Sequence, residues 1–247
     1  MSLFPNCQPK TATYPLSGPM AATCLLLAGL LGGCSTTMQM AVPKDISAAT
    51  DVIPATERSG WSGALADETF TLGPYKVVDV DRDWDSSQSD TISISKLDMK
   101  SGSTEGGYKF KFKTPSAQWL GKCSAEASEN SVGMSGFKVL EKEAGLNCVC
   151  TDGKSEVSKV TVKAKNMDNY SGTLTTHGQS YRVASLKERE GSMAMGVSGY
   201  RVDGDQPVGA VEVLKPGRIW LGRDLEPTQR AGLACSFVGL MLYMPAE

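Results

Sequence analysis

Apolar and charged residues alternate strictly in one central stretch of the chain, and this pattern limits what the stretch can form. The stretch is Tyr108-Lys109-Phe110-Lys111-Phe112-Lys113. Successive residues of an extended strand point to opposite faces, whereas a helix would spread the same residues around its axis. The order therefore predicts a β-strand with a buried aromatic face and a lysine-bearing face toward solvent.

Alternation and β-branched content predict further strands in the second and third quarters of the chain and beyond. They are Tyr75–Val80, Thr91–Ser95, Trp119–Ala125, Lys159–Lys165, Gly172–Thr175, Ser180–Ala184, Gly199–Val202, Val208–Leu214 and Arg218–Leu221. Glycine-containing turns are expected at 176–179 and 203–206, and short turns join antiparallel neighbours. We therefore expect a mainly β fold, either a single antiparallel β-sandwich or a barrel-like domain.

The C-terminal part changes period and predicts a helix from about Leu225 to Tyr243. Asp224 is the candidate N-cap, and Pro227 suits the first turn. Residues 231–244 form a nearly uncharged run of 14 residues, which is short of the roughly 20 needed to cross a bilayer. We expect this helix to be packed on the sheet.

The charge balance argues against a protein that binds polyanions. The chain has 25 Lys and Arg residues against 27 Asp and Glu residues, whereas domains that bind nucleic acid carry a basic excess. We expect no nucleic-acid partner and no cofactor.

The N-terminal 33 residues carry one charged side chain, Lys10, and then an apolar run of eleven residues, 21–31. A run of this length is typical of a cleaved signal peptide and is too short to span a membrane. It ends in Leu31-Gly32-Gly33-Cys34, which resembles the lipobox of bacterial lipoproteins: a branched apolar residue, two small residues and a cysteine. An ordinary secretory signal is the alternative, and Met20 is an alternative start.

The resemblance implies that Cys34 becomes the lipidated first residue of the mature protein, with diacylglycerol and usually a further acyl chain such as palmitate. Such chains hold a protein to the lipid bilayer by burying methylene groups. In the lipoproteins that this signal resembles, an aspartate after the cysteine means inner-membrane retention, so Ser35 favours the outer membrane. Residues 34–66 are rich in Ser, Thr, Ala, Pro and Gly and are expected to form a flexible tether before a folded domain at 67–247.

Four further cysteines are disulfide candidates, because an exported protein meets an oxidising compartment. They are Cys123, Cys148, Cys150 and Cys235. Cys148 and Cys150 are two residues apart on a predicted strand, which makes a bond between them too tight. We expect Cys123 to pair with one of the two and Cys235 with the other. A four-thiolate zinc site would need paired Cys-x-x-Cys motifs, and a reactive Cys-x-Cys would need an electropositive setting.

Five aspartates resemble the ligand positions of a calcium-binding loop: Asp79, Asp81, Asp83, Asp85 and Asp90. That loop requires glycine at its sixth position, where this chain has Trp84, and it normally ends in glutamate. The departure favours a solvated acidic strand end over a calcium site.

Two sets of strand lysines are candidates for a cationic patch that binds lipid headgroups or anionic glycans. They are Lys109, Lys111 and Lys113 with Lys159, Lys163 and Lys165. Solvent-facing lysines that discourage edge pairing of strands explain the same pattern, and we favour that explanation.

The single histidine, His177, lies in a predicted turn, which is a poor basis for a Ser-His-Asp triad or a multi-histidine metal site. A two-carboxylate hydrolase would need only Asp and Glu, but the sequence singles out no pair. The sequence therefore favours a non-enzymatic lipoprotein of the outer membrane that binds or scaffolds an envelope protein or glycan. The alternative is an envelope hydrolase that uses carboxylates on glycan or peptidoglycan.

Cys34→Ser should leave the protein unprocessed or poorly exported and without an acyl label, because the acyl acceptor is lost. Metabolic labelling with a fatty-acid analogue, with gel mobility as the measure of processing, tests this. A variant that fractionates with membranes in the same processed form as the parent would show that the lipobox resemblance is misleading.

Overall fold

The computed structural model describes residues 38–58, 68–83, 87–94, 97–134, 137–153, 157–165, 169–191 and 196–243. Its strands are β1 (Thr50–Thr56), β2 (Glu68–Leu72), β3 (Tyr75–Asp83), β4 (Ser87–Ile94), β5 (Leu97–Lys113), β6 (Gln118–Met134), β7 (Phe137–Thr151), β8 (Val157–Lys165), β9 (Asn169–Thr176), β10 (Gln179–Leu186), β11 (Gly199–Asp203), β12 (Pro207–Glu212) and β13 (Arg218–Gly222). Its helices are α1 (Lys44–Ala49) and α2 (Pro227–Leu242).

The strands form one antiparallel sheet that closes on itself. Its order is β3-β2-β1-β13-β12-β11-β10-β9-β8-β7-β6-β5, and pairing of β3 with β5 joins the two ends into a barrel of twelve strands. The remaining strand, β4, is paired with β5 outside this ring. The expected mainly β, barrel-like fold is confirmed, whereas the sandwich is wrong. From β5 to β13 each strand pairs with its successor, so the sheet curls continuously instead of splitting into two layers.

The alternation seen in the sequence separates the two faces of the barrel wall. The three aromatic residues of the stretch 108–113 are buried in the lumen, and the three lysines between and after them are exposed outside. The predicted turn at 176–179 is the β9–β10 hairpin, where His177 and Gly178 both have positive φ. Positive φ at both central positions suits the twist of a two-residue hairpin loop.

The predicted C-terminal helix is α2, and it lies inside the barrel. It contacts β6, β7, β8, β9, β12 and β13, and every residue from Ala231 to Leu242 is buried. A helix that is apolar on all sides must be covered on all sides, and the lumen of a closed barrel provides such an environment. The helix packs on the sheet as expected, and it does so from the inner side of a closed barrel, which covers it on all sides.

Two glycines let α2 lie close to the wall. A Cβ on Gly232 would stand 2.6 Å from Thr176 Oγ1, and one on Gly239 would stand 2.8 Å from Cys148 Sγ. Real Cβ atoms do not approach other atoms so closely, so a larger residue at either position would push the helix away from the strands.

Two disulfides reinforce this arrangement. Cys123–Cys148 joins directly opposed positions of β6 and β7, and Cys150–Cys235 joins β7 to α2. The pairing agrees with the one predicted from the sequence. The second bond attaches the helix to the wall that surrounds it.

A buried cluster of charges lies at the C-terminal end of α2. Glu68 pairs with Arg58 at 3.0 Å and with Arg82 at 3.3 Å. Arg58 also donates to the carbonyl oxygen of Met241, and Arg82 to that of Leu242, at 3.0 and 2.9 Å. The last carbonyl groups of a helix lack intrahelical partners and carry partial negative charge, so the two guanidinium groups stabilise this end. Burial lowers the pKa of Arg58, and the charge of Glu68 opposes that shift.

Within the expected tether over 34–66, residues 38–58 are part of the folded domain, and 34–37 and 59–66 lie outside the described residues. α1 lies on the outside of β12 and β13, and β1 pairs with β13 and β2. Met40 and Ile46 are fully buried against Trp220 in a small core outside the barrel wall. The sequence predicted a tether because this segment is rich in small polar residues. Met40 and Ile46 are too few and too isolated to produce a helical or strand period that could be recognised in the sequence.

The Cys150–Cys235 bond should contribute more stability than the Cys123–Cys148 bond. The sequence separations are 85 and 25 residues, and loop-closure entropy then gives about 4 to 5 kcal/mol against about 3.5 kcal/mol. We expect Cys150→Ala/Cys235→Ala to lower the free energy of unfolding more than Cys123→Ala/Cys148→Ala does. Denaturant unfolding of the two matched variants measures this, and the reverse order would contradict it.

Glu68→Gln should lower the free energy of unfolding by about 3 to 5 kcal/mol, because two buried guanidinium groups lose their counter-charge. Asp79→Asn is the control: it removes the exposed Asp79–Lys111 ion pair, which should be worth less than about 1 kcal/mol. Urea unfolding of both variants gives the comparison. Equal losses would mean that the buried cluster does not stabilise the closed barrel.

Candidate functional site

Because α2 occupies the lumen, a ligand would have to bind at the rim or on the outer surface of the barrel. Residues of α2 and the inward residues of the wall belong to one continuous apolar core. The larger concave surfaces described lie at the rim where α2 enters the barrel and along the outer wall.

Two adjoining cavities make up what we call the rim groove. The first, of about 980 Å³, lies between the β9–β10 hairpin, the β11–β12 turn, the β13–α2 connection and the first turn of α2. The second, of about 790 Å³, extends over the outer faces of β9, β10 and β11 toward α1. Both cavities are lined by Thr173, by Arg182 and by the turn 203–207. An elongated ligand that filled both would pass these residues.

Arg182 lies where the two cavities meet. It is exposed on β10, opposite Thr173 of β9 and Asp203 of β11. Asp203 is paired with Arg201, at 2.7 Å. Within the described ranges of the chain Arg182 has no ion-pair partner, so its guanidinium donors can bind a ligand.

Arg201 is held by two carboxylates beside the groove, Asp203 and Asp45 of α1, the latter at 2.8 Å. The hydrogen bond with Asp203 is the main cause that raises the pKa of Arg201. The hydrogen bond from Arg201 lowers the pKa of Asp45. Arg201 and Asp45 therefore stay ionised and paired around neutral pH. Three arginines and four aspartates line the two cavities together, which leaves the groove close to neutral.

Gln179, Tyr181 and Gln229 form a hydrogen-bonded network on the floor of the first cavity. The Tyr181 hydroxyl donates to Gln179 Oε1, and Gln229 Nε2 donates both to Gln179 Oε1, at 2.9 Å, and to the Tyr181 hydroxyl. Burial raises the pKa of Tyr181, so its hydroxyl remains protonated. This network leaves the Gln179 amide hydrogens and Gln229 Oε1 to bind water or a ligand.

The outer wall carries a second concavity, of about 720 Å³, with three glutamates in its lining: Glu105, Glu126 and Glu143. Glu105 of β5 and Glu126 of β6 are directly opposed in register. All three are exposed. The sequence singled out no such pair, because the strand register that brings the two together is a tertiary feature. A solvated pair lacks the enclosure that makes carboxylates effective acids and bases.

The five aspartates of the calcium pattern do not form one loop. Asp79, Asp81 and Asp83 belong to β3 and Asp90 to β4, while Asp85 lies outside the described residues. Asp79 pairs with Lys111 and Asp81 with Lys109, at 2.7 and 2.9 Å, and the hydrogen bond from Lys111 lowers the pKa of Asp79. Asp79 and Asp81 are exposed and each is paired with a lysine, which fits the solvated acidic strand end that the sequence favoured.

The lysines expected as a possible cationic patch fall on two separate strands. Lys109, Lys111 and Lys113 belong to β5, and Lys159, Lys163 and Lys165 to β8, with β6 and β7 between them. Three strand spacings amount to roughly 14 Å. Because two of the β5 lysines are also paired with aspartates, the solvent-facing explanation fits the structure better.

The remaining predicted site residues are distributed as follows. Cys34 lies outside the described residues, and His177 is at the tip of the β9–β10 hairpin. Within the described ranges no group of three or more His, Cys, Asp or Glu residues is arranged to hold a metal ion. None of the described helices is long and apolar enough to cross a bilayer.

The rim groove itself was missed by sequence reasoning. Its lining comes from chain positions between 45 and 229, and single polar residues on a strand look like ordinary solvated positions. The local signals were two predicted turns: the one at 176–179 borders the first cavity, and the one at 203–206 lines both cavities.

Comparison of this chain with models of known families, with curated proteins and with solved structures finds no match.

Proposed function

We propose that this protein is a lipid-anchored protein of the bacterial outer membrane that binds an envelope glycan in the rim groove without catalysing a reaction. The observation that carries the proposal is that α2 fills the lumen, while a two-lobed polar groove lies outside it. The lipobox-like sequence at Cys34 and the two disulfides support an exported, membrane-anchored protein.

The lining of the groove favours a ligand rich in hydroxyl and amide groups. Gln179, Gln206 and Gln229 offer amides, Thr173 and Ser180 offer hydroxyls, and the charged residues nearly balance. Hydroxyl and amide groups of a glycan are both donors and acceptors, so they suit such a mixed surface. A lipid tail would need an apolar lining, and a nucleic acid would need an excess of basic residues.

Size supports an oligomeric glycan over a small metabolite. Small-molecule pockets usually enclose about 300 to 1,000 Å³ and bury most of the ligand. The groove reaches that size in each of two open lobes of about 980 and 790 Å³. A chain of sugar units can lie across both lobes and contact Arg182 at their junction.

A carboxylate hydrolase would need two enclosed carboxyl groups. In the rim groove Asp45 and Asp203 are instead paired with Arg201. The carboxylates that are directly opposed in register, Glu105 and Glu126, lie on the outer wall. Their exposure provides neither the desolvation nor the fixed geometry that general acid catalysis needs. We therefore assign the protein a binding role.

Arg182→Ala should weaken glycan binding by about 10- to 100-fold, because a charged donor contributes about 1.5 to 3 kcal/mol when it hydrogen-bonds a ligand. Co-sedimentation of the full-length protein with isolated peptidoglycan sacculi measures the affinity. Arg182 is exposed, so the substitution should leave the unfolding transition almost unchanged.

Lys122→Ala is the matched control, since Lys122 is an exposed cation on β6, away from the rim groove. It should retain the affinity of the parent. Equal losses in both variants would indicate general electrostatic attraction, and the absence of binding by the parent would overturn the glycan assignment.

A further inference from the structure

The rim groove occupies one end of the barrel, which we call the groove end. Its first cavity is lined there by the starts of β10 and β12 and by the ends of β11 and β13, at Gln179, Pro207, Asp203 and Gly222. Because neighbouring strands are antiparallel, the other terminus of each of these strands lies at the opposite end of the barrel. We call this the far end, and the four strands contribute to it Leu186, Gly199, Glu212 and Arg218.

The first described residues of the chain are attached to the far end. The Ala41 N–H donates to the carbonyl oxygen of Glu188 at 3.0 Å, and the Glu190 N–H donates to the carbonyl oxygen of Gln39 at 2.8 Å. The two segments form an antiparallel bridge. Residues 39–41 are therefore paired with the chain that continues from β10.

Side chains of the far end hold this segment in place. Glu212 Oε1 accepts a hydrogen bond from the Met40 N–H, and Arg218 donates to the Met40 carbonyl oxygen at 3.2 Å. Glu212 and Arg218 are paired with each other at 2.7 Å, and the Glu212 side chain is only 3% exposed. The Met40 side chain is fully buried, with its Sδ against Gly199. Backbone and side chain thus both fix the start of the domain.

The link from Cys34 to this fixed segment is too short to reach the groove end. Cys34 precedes Met38 by four residues, and four residues span at most about 14 Å. β10 has 8 residues. Seven steps of about 3.3 Å make about 23 Å along such a strand, or about 18 Å along the barrel axis at a tilt of about 40°. A flexible tether over 34–66 would have allowed either end to face a membrane.

We propose that the short link after Cys34 orients the barrel, so that its far end faces the lipid bilayer and the rim groove opens away from it. This inference rests on the lipid anchor in the proposed function and assigns the membrane-facing surface of the domain. The partner is the headgroup layer, because the acyl chains of Cys34 would lie in the hydrocarbon beneath it. A glycan would reach the groove from the side opposite to the bilayer.

The side chains at the far end suit contact with headgroups. Met38 is 55% exposed, and the Arg189 guanidinium lies 3.6 Å from its sulfur atom. An apolar side chain beside a cation is suited to the boundary between acyl chains and headgroups. Glu188 and Glu190 are also exposed at this end. The acyl anchor, and not a basic surplus, therefore has to hold this surface to the membrane.

The longest strands also extend from the far end. β3 pairs with residues 107–113 of β5, and β8 pairs with residues 143–151 of β7, whereas the pairing of β5 with β6 continues to residue 97. In the proposed orientation these strands approach the bilayer as well.

Fluorescence quenching on vesicles tests the orientation. The lipidated protein, purified from membranes, is added to preformed vesicles that contain lipids with a nitroxide on the headgroup. A fluorescent amino acid at position 190, at the far end, should lose most of its emission, whereas one at position 205, in the groove, should retain most of it. Position 48, on the outer side of α1, should also be quenched less than position 190. The residues at all three positions are exposed. Equal quenching at 190 and 205, or quenching at 205 or 48 that exceeds that at 190, would overturn the orientation.

Lengthening the link tests its role. A Gly/Ser insertion of about 20 residues between Thr37 and Met38 has a root-mean-square span of about 25 Å, so it should abolish the difference between positions 190 and 205. The same insertion after the exposed Gly153, in the turn that follows β7, is the control and should preserve the difference. If the long link also preserves the difference, the short link does not orient the barrel and the proposal is wrong. Recovery of the Cys150–Cys235 disulfide shows that each variant has folded.

Two further measurements separate this inference from the proposed function. If the parent does not float with vesicles, the lipid anchor is wrong and the orientation with it. If the parent in detergent does not bind soluble peptidoglycan fragments, the glycan assignment is wrong, and quenching still decides the orientation. A parent that binds these fragments in detergent should bind them on vesicles within about threefold, and a larger loss would mean that the bilayer covers the groove.

Discussion

The position of α2 in the lumen is the constraint on which the rest of the structure depends. Barrels of about eight strands can be filled by wall side chains alone, whereas twelve strands enclose a wider space. A helix about 10 to 12 Å across fills that space. The need to cover it on every side explains why residues 231–242 carry no charge and are all buried. Two glycines allow the close contact, and the barrel closes around the helix.

Other stabilising features are located where this buried helix requires them. The Cys150–Cys235 bond holds its middle to β7. At its C-terminal end, Arg58 and Arg82 satisfy the last carbonyl oxygens, and Glu68 compensates the charge that this brings into the interior. A purely apolar end to the lumen would leave those carbonyl groups without partners. The buried ion pairs are thus a consequence of enclosing a helix end.

Because α2 fills the lumen, the surfaces available for binding a ligand lie at the rim and on the outer wall of the barrel. In our proposal the rim groove serves for binding because the entry of α2, the hairpin at 177–178 and the turn 203–207 create a concave polar surface.

The sequence by itself determined the features that depend on neighbouring residues. Alternation at 108–113 specified a strand with a buried aromatic face, the uncharged run near the C-terminus specified a buried helix, and the spacing of Cys148 and Cys150 required separate partners. Tertiary structure decided the rest. Closure depends on β3 meeting β5, as in the pairing of Lys76 with Lys113, and no local period encodes a contact between distant strands. The rim groove and the opposed Glu105 and Glu126 exist only after closure sets the register, because each is assembled from residues whose own neighbourhoods look like ordinary solvated strand.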